Sequence, residues 1–217
     1  MTRSQIRAWK KAADAGDAEA QFHIGNMYAD GVGLHKNPRE AIKWFKKAAE
    51  QEYADAQYNL GKMYDDGEGV FKDATEALKW YLKAAKQGHS SAQFNLGVSY
   101  AEGDGVQQDP VQAIYWYRQA AKSGHLKAQY NLALAYVTGS GLRKNNVQAI
   151  NWFRKAAKKG HPKAQNWLGN MYAEGKGVAK SLTRARIWYQ KAITQGNLDA
   201  QYNLKSIMTN NRKKLSR

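Results

Sequence analysis

A period of 36 residues runs through this chain of 217 and constrains its fold more than any other feature. The dipeptide Ala-Gln recurs six times at this spacing, from Ala20-Gln21 to Ala200-Gln201. Five Gly-x-Gly pairs keep the same spacing, and so do five tryptophans, namely Trp44, Trp80, Trp116, Trp152 and Trp188. No insertion breaks the register, so we expect one structural unit to be used throughout.

Each unit contains two runs of helical spacing on either side of a glycine loop. In the first unit, Ala20, Ile24 and Met27 follow this spacing before the loop, and Trp44 and Ala48 follow it afterwards. The unit is therefore helix A, a short loop and helix B, with a glycine able to end each helix. Two antiparallel helices cannot bury an apolar face alone, so the units must stack on one another. We predict an all-α, right-handed α/α superhelix, a solenoid of about 12 helices.

We expect a single repeat domain without an internal boundary. In the final helix A, Lys205 and Met208 stand where other copies have a small residue and a tyrosine, as expected where no helix B follows. Glu52 is the one residue that replaces the glycine after a helix B. The predicted segments are a helix B cap at 3–15, repeats at 18–52, 54–88, 90–124, 126–160 and 162–196, a helix A cap at 198–210, and a basic tail at 211–217.

Composition excludes several classes of protein. The chain has no cysteine, which removes disulfides, thiolate metal sites and cysteine nucleophiles. No run of about eighteen apolar residues occurs, and the N-terminus has no apolar stretch typical of a signal peptide. We therefore expect no membrane insertion and a cytoplasmic location, or a periplasmic one if the chain is a processed or truncated form.

The residue pattern of the 36-residue unit resembles that of a known family. Residues 56–64 read Ala-Gln-Tyr-Asn-Leu-Gly-Lys-Met-Tyr, followed by Gly-Glu-Gly-Val at 67–70 and Ala-Leu-Lys-Trp-Tyr at 77–81. At a 36-residue period this combination resembles the Sel1-like repeat family, a tetratricopeptide-like group, over nearly the whole chain. The resemblance implies an α-solenoid without enzymatic activity that acts as a scaffold or adaptor. Such proteins are common in bacteria and are tied to signalling, envelope assembly, virulence or the neutralisation of a secreted effector.

The charge is divided unevenly between the two helices of the unit. The whole chain carries +16, the helix B segments together carry +16, and the helix A segments together carry −5. By the same resemblance, helix A lines a concave surface and helix B a convex one, so the basic excess is expected on the convex side. Two interpretations stay open, a solvated face that keeps the protein soluble, or a binding face for nucleic acid or an anionic surface.

The residues of helix A that packing does not use lie on one face, which we predict to be a partner-binding groove. Side-chain amides at Asn59, Asn95 and Asn131 could hold the backbone of an extended peptide. Alternatively, these asparagines bond the neighbouring helix A and set the repeat spacing. The apolar members of the groove are either anchor sites or covered by adjacent helices. The predicted groove comprises Tyr58, Asn59, Lys62, Phe94, Asn95, Val98, Tyr130, Asn131, Leu134, Asn166, Trp167 and Asn170.

The glycine pairs and histidines of the sequence could suggest phosphate or metal binding, but their context argues against both. Each Gly-x-Gly pair follows a helix instead of a strand, which argues against a phosphate loop. His89, His125 and His161 share one turn position a repeat apart, which favours a packing role over a metal site. No catalytic constellation stands out on helix A. We therefore predict a non-enzymatic protein-interaction scaffold without metal or cofactor, with a monomer favoured and nucleic acid a nonspecific or alternative ligand.

Overall fold

The computed structural model describes the backbone of residues 2–215 and the side chains of residues 2–209. Over this part of the chain it contains twelve α-helices and no strand, so the predicted all-α solenoid class is confirmed. Odd-numbered helices are copies of helix B and even-numbered helices are copies of helix A. The helices are α1 (Arg3–Asp14), α2 (Ala18–Asp30), α3 (Pro38–Glu50), α4 (Ala54–Asp66), α5 (Ala74–Lys86), α6 (Ser90–Glu102), α7 (Pro110–Lys122), α8 (Leu126–Thr138), α9 (Asn146–Lys158), α10 (Pro162–Glu174), α11 (Leu182–Ile193) and α12 (Leu198–Leu215).

The chain divides into two compact units, residues 1–119 and residues 120–217, and the division falls within α7. We call them unit 1 and unit 2. In unit 1, α2 packs on α3 and α4 packs on α5. In unit 2, α8 packs on α9 and α10 packs on α11. In both units the basic building block is therefore a helix A packed against the helix B that follows it.

A glycine in helix A, which has no side chain, allows the two helices of a block to approach closely. The Tyr81 ring lies against Gly61, where an added Cβ would come within 2.8 Å of the ring atom Cδ1. The Tyr189 ring lies against Gly169 in the same way, so that an added Cβ would overlap the ring there too. Both tyrosines are almost completely buried. These two glycines therefore allow the close packing of the facing helices.

Glycines of the loops adopt the left-handed conformation that was expected of them. Gly67 ends α4 with a φ of 72°. The second glycine of the same loop, Gly69, lies so close to α3 that a Cβ would meet the Pro38 carbonyl carbon at 2.8 Å. This loop therefore packs onto the first turn of the preceding helix B. Glu52 takes the glycine position after α3 with a φ of 62°, the one positive φ among non-glycine residues of the described chain.

The last helix continues beyond its predicted end. It runs to Leu215, so the backbone of residues 211–215 of the expected basic tail is helical, while residues 216–217 lie outside the described chain. The segment 210–215 contains neither glycine nor proline, and its arginine, lysines and leucine are good helix formers. Lys205 and Met208, the two substitutions expected of a terminal helix, are exposed.

None of the helices described between residues 3 and 215 combines the length and the apolar character needed to cross a bilayer.

Candidate partner-binding site

In unit 1, the predicted groove residues lie on α4 and α6. Tyr58 and Asn59 on α4 are half-buried, and so are the equivalent Phe94 and Asn95 on α6. Lys62 is exposed and its Nζ lies 3.2 Å from Asp66 Oδ2, one helical turn further on. Val98, which follows Asn95 by three residues, is half-buried. This part of the helix A surface therefore offers partly accessible aromatic, amide and apolar groups beside one ion pair.

Turn histidines hold the aromatic row in place. The Tyr58 ring stacks on His89, with ring centroids 4.5 Å apart and planes at 24°. His89 also caps α6, because its Nδ1 accepts a hydrogen bond from the Ala92 backbone N–H at 3.1 Å. Only neutral imidazole has that acceptor. Burial lowers the pKa of His89 and so favours the neutral form, although nearby Asp55 acts in the opposite direction.

Unit 2 repeats this arrangement. The Tyr130 ring stacks on His161 at 4.7 Å and 20°, and His161 Nδ1 accepts from the Ala164 N–H at 3.2 Å. Burial lowers the pKa of His161, as it does that of His89. The packing role predicted for the turn histidines therefore consists of a helix cap and a ring stack. Among the described residues, no group of three or more His, Asp or Glu is arranged to hold a metal ion.

The asparagines of unit 1 bond to the protein itself. Asn59 Nδ2 donates to Asn26 Oδ1 at 3.0 Å and so links α4 to α2. The nearby Tyr81 hydroxyl donates to Asp65 Oδ2 at 3.2 Å. The bond between Asn59 and Asn26 supports the alternative interpretation of the asparagine row, in which these amides set the spacing of neighbouring helices. It also fixes the orientation of the Asn59 amide that a partner would meet.

In unit 2, a second asparagine cluster changes one prediction. Asn203 Nδ2 donates to Asn166 Oδ1 at 3.0 Å and to Asn170 Oδ1 at 3.1 Å. The Tyr189 hydroxyl donates to Asn170 Oδ1 at 2.7 Å, and burial raises its pKa to about 12, which keeps it protonated. Asn166 is only 8% exposed. It is therefore not available to a partner, contrary to the prediction, because α12 covers it.

Trp167 belongs to an aromatic cluster of unit 2. Its ring lies parallel to the Phe153 ring, with centroids 5.6 Å apart and planes at 4°, and the Tyr130 ring lies 5.9 Å from the same Phe153 ring. Trp167 is half-buried, as are Asn131 and Leu134 on α8 and Asn170 on α10. The structure thus brings Tyr130 and Trp167 together, which their separate positions in the sequence did not indicate.

The sequence reasoning used the Ala-Gln glutamines only as markers of the repeat and missed their role. Gln57 is buried, and its Nε2 donates to the Ala49 carbonyl of the preceding helix B at 3.1 Å. Its Oε1 accepts from Gln87 Nε2 at 2.8 Å. Gln165 and Gln195 repeat this pair in unit 2 at 2.7 Å. We call each such hydrogen-bonded glutamine pair a clamp. The recurrence of glutamine at positions 51, 87 and 195 is the sequence signal that could have revealed it.

One clamp in unit 2 is incomplete. Lys159 stands at the position of Gln195, and its Nζ bonds the Gly124 carbonyl at 3.0 Å. Gln129 still donates to the Ala121 carbonyl at 3.2 Å, but its buried Oε1 has no hydrogen-bond partner in the described chain. Leaving a buried acceptor unpaired costs about 1–3 kcal/mol.

Lysines cover the tryptophans of helix B. Lys47 Nζ lies 4.1 Å from the Trp44 ring centroid, and Lys83 Nζ lies 4.1 Å from that of Trp80. Both rings are buried, as their spacing predicted, while Trp116 is half-buried. In unit 2, Lys155 and Lys191 lie over Trp152 and Trp188 in the same manner.

Comparison with family models gives one description, the Sel1 repeat. A search of curated proteins gave no significant match. The Sel1 repeat match confirms the family that was predicted from the 36-residue unit. The matched segments are residues 18–53, 54–89, 90–125, 126–161 and 162–197.

Solved structures support the same assignment. A protective antigen of uropathogenic Escherichia coli with an SLR fold is 38% identical, with a TM-score of 0.89, over 92% of this chain and 43% of its own. This chain thus spans less than half of that protein. A Sel1 repeat protein from Oxalobacter formigenes is 34% identical, with a TM-score of 0.80, over 95% of this chain and 88% of its own. An immunity protein of Pseudomonas aeruginosa shares the fold at 18% identity and a TM-score of 0.52, over 87% of this chain and 72% of its own.

Proposed function

Since this chain belongs to the Sel1 repeat family, whose members generally mediate protein–protein interaction, we propose that it is a non-enzymatic scaffold for a protein or peptide partner. In each unit, the helix A side chains form the surface to which the partner binds. Because the structural neighbours come from bacteria, the partner is sought among bacterial proteins. Signalling, envelope assembly, virulence and effector neutralisation are the settings that we propose for it.

The single observation that carries this proposal is the row of preorganised aromatic side chains. Tyr58 and Tyr130 are each stacked on a histidine that also caps the next helix A. A ring held in this way loses little conformational entropy when a partner covers it. Aromatic residues of this kind are enriched among the side chains that dominate binding energy at interfaces.

The polar groups around these rings support an extended segment as the partner. Asn95 and Asn131 lie one residue after an aromatic of the row, where an amide can both donate to and accept from a peptide backbone. On α4, Lys62 and Asp66 add a charged pair at the surface. Backbone contacts of this kind provide affinity without sequence preference, and the neighbouring side chains provide specificity.

Site-specific photo-crosslinking tests the proposal and reports which face is used. A photoreactive phenylalanine analogue replaces Lys62 on α4 or Leu134 on α8, and in matched controls it replaces Lys79 on α5 or Asn151 on α9. Each variant is irradiated in nuclease-treated lysate of the source cells. We expect one adduct of constant size from the two helix A positions.

The controls on helix B give the opposing result. Adducts of the same size from Lys79 and Asn151, with none from the helix A positions, would overturn the proposal. Circular dichroism of each variant shows that the fold is intact. Competition by the identified partner, added without label, must abolish the adducts if the binding is specific.

A further inference from the structure

Three helices B of unit 1 carry parallel stripes of basic side chains. On α3, Arg39, Lys43, Lys46 and Lys47 are all exposed. The same spacing places exposed basic residues on α1 and α5. Together the three helices hold eleven basic and four acidic residues, a net charge of +7. The exposed basic residues of the other two helices are Arg3, Arg7, Lys10, Lys11, Lys79, Lys83 and Lys86.

The three stripes belong to one surface of unit 1, because successive helices B share apolar clusters through their tryptophans. Trp44 of α3 belongs to the same apolar cluster as Ala13 of α1. Trp80 of α5 belongs to the cluster that contains Ala41 and Phe45 of α3. Neighbouring stripes therefore lie side by side, and we call this surface the basic face of unit 1.

The side chains of the basic face suit a diffuse anionic surface better than a nucleic acid. Proteins that bind single strands expose aromatic rings for base stacking, whereas Trp44 and Trp80 are 8% exposed and lie under Lys47 and Lys83. Lysines outnumber arginines on the three helices, and lysine acts as a point charge without the forked geometry that reads phosphates or bases. Charge density is thus the main property that this face presents.

A loop beside the basic face exposes one large apolar ring. Phe71 is 94% exposed, the highest value among the large apolar residues described. Its loop packs onto the first turn of α3, where a Cβ added at Gly69 would overlap Pro38 and the Arg39 backbone nitrogen. Lys36 of the preceding loop bonds Glu68 at 2.9 Å, so the two loops lie together at this edge. An exposed phenyl ring beside lysines matches the interfacial region of a bilayer.

We propose that the basic face of unit 1, with Phe71 at its edge, docks the protein on membranes that contain anionic lipids. Lysine and arginine side chains attract the charged headgroups, and Phe71 enters the boundary between headgroups and acyl chains. The binding is peripheral and reversible, because its strength comes from screened charge and a single ring. It leaves the helix A side chains of the proposed partner site uninvolved, so the two proposals can fail separately.

Sedimentation with vesicles of phosphatidylcholine, with and without phosphatidylserine, tests the proposal at about 0.15 M salt. Lys10, Lys46 and Lys86 are replaced together by glutamine, since no ion pair or ring contact of the described chain uses them. We expect a loss of about fivefold in partitioning per lysine, or about 100-fold for the three. The matched control replaces Lys127, Lys163 and Lys205, all on helices A of unit 2, and keeps the same total charge.

A second pair of variants isolates the aromatic ring. Phe71→Ser is expected to weaken vesicle binding about tenfold, and Gln107→Ser, at the equivalent loop position of the next repeat, leaves it unchanged. Equal losses in both triple variants, or equal binding to neutral vesicles, would overturn the proposal. The proposal would also be overturned if the protein bound a short DNA duplex more tightly than the anionic vesicles and Phe71→Ser did not affect that binding. This result would assign the basic face to nucleic acid.

Discussion

The unpaired oxygen of Gln129 leads to a prediction about stability. In the complete clamps, a glutamine at the position of Lys159 donates to the buried glutamine, as Gln195 does to Gln165 at 2.7 Å. Gln51 shows that one such side chain can make two bonds, to the Gly16 carbonyl at 2.9 Å and to Gln21 Oε1 at 2.8 Å. Lys159→Gln should therefore pair Gln129 Oε1 and still bond the Gly124 carbonyl.

The expected rise in the free energy of unfolding follows from the missing hydrogen bond at Gln129 Oε1. A net hydrogen bond contributes about 0.5–1.5 kcal/mol, and an unpaired buried acceptor costs about 1–3 kcal/mol. Since the replaced lysine already bonds one carbonyl, we expect the free energy of unfolding to rise by about 1 kcal/mol. In a chain of this size, that corresponds to a rise in Tm of about 2–4 °C.

Urea unfolding followed by circular dichroism measures the change, and Lys158→Gln is the matched control. Lys158 is exposed and neighbours Lys159, so this variant removes the same charge without reaching Gln129. If both variants shift the midpoint equally, the effect comes from reduced charge repulsion and the clamp argument is refuted. A crystal structure of Lys159→Gln should also show the new bond near 2.8 Å, within the usual range.

Three further predictions concern the backbone, the core and the helix caps. Glu52→Gly should raise the free energy of unfolding by about 0.5–1 kcal/mol, because glycine removes the strain of a positive φ at some cost in chain entropy. The control Glu50→Gly, at the last residue of α3, should lower the free energy of unfolding. Gly61→Ala should lower it by about 1–3 kcal/mol, because the added Cβ overlaps the Tyr81 ring, and an unchanged urea midpoint would show that the ring moves away freely. The lowered pKa values of His89 and His161 mean that both rings are neutral in both states above about pH 6.5, where their stabilisation is complete. As the pH falls below 6.5 toward the folded-state pKa values, the unfolded chain takes up protons first and stability drops; replacing both histidines by asparagine, which also caps helices, should flatten this pH dependence.

Apart from the extended C-terminal helix, the repeat period predicted the helices and their packing because those features rest on contacts close in sequence. Gly61 meets Tyr81 within one block, and Gly67 ends α4 through its own backbone conformation. Even the irregular Glu52 was visible as a break in a column of glycines. Such positions depend on the residue type at one place in a repeating unit, which a single sequence displays fully.

The candidate site was less predictable because it depends on distances between separate helices. Asn59 and Asn26 are 33 residues apart, and their bond at 3.0 Å exists only because two helices A approach closely enough for short amide side chains to meet. Asn166 is buried for the same reason, since Asn203 reaches it from α12. Periodicity shows that these residues share a row, but it does not show whether a row faces a partner or its own neighbours.

The fifth repeat shows how two substitutions compensate each other at the site. In α8 the row reads Tyr130-Asn131, whereas in α10 the aromatic and the asparagine are exchanged and the row reads Asn166-Trp167. The next turn has Asn197 in place of the stacking histidine, so an aromatic at position 166 would lack the ring that supports Tyr130. The exchange instead gives Asn166 a partner in Asn203 and lets Trp167 stack on Phe153, which Tyr130 also contacts. Unit 2 therefore presents an indole and a phenol that both pack against Phe153, which a partner would meet as one aromatic surface.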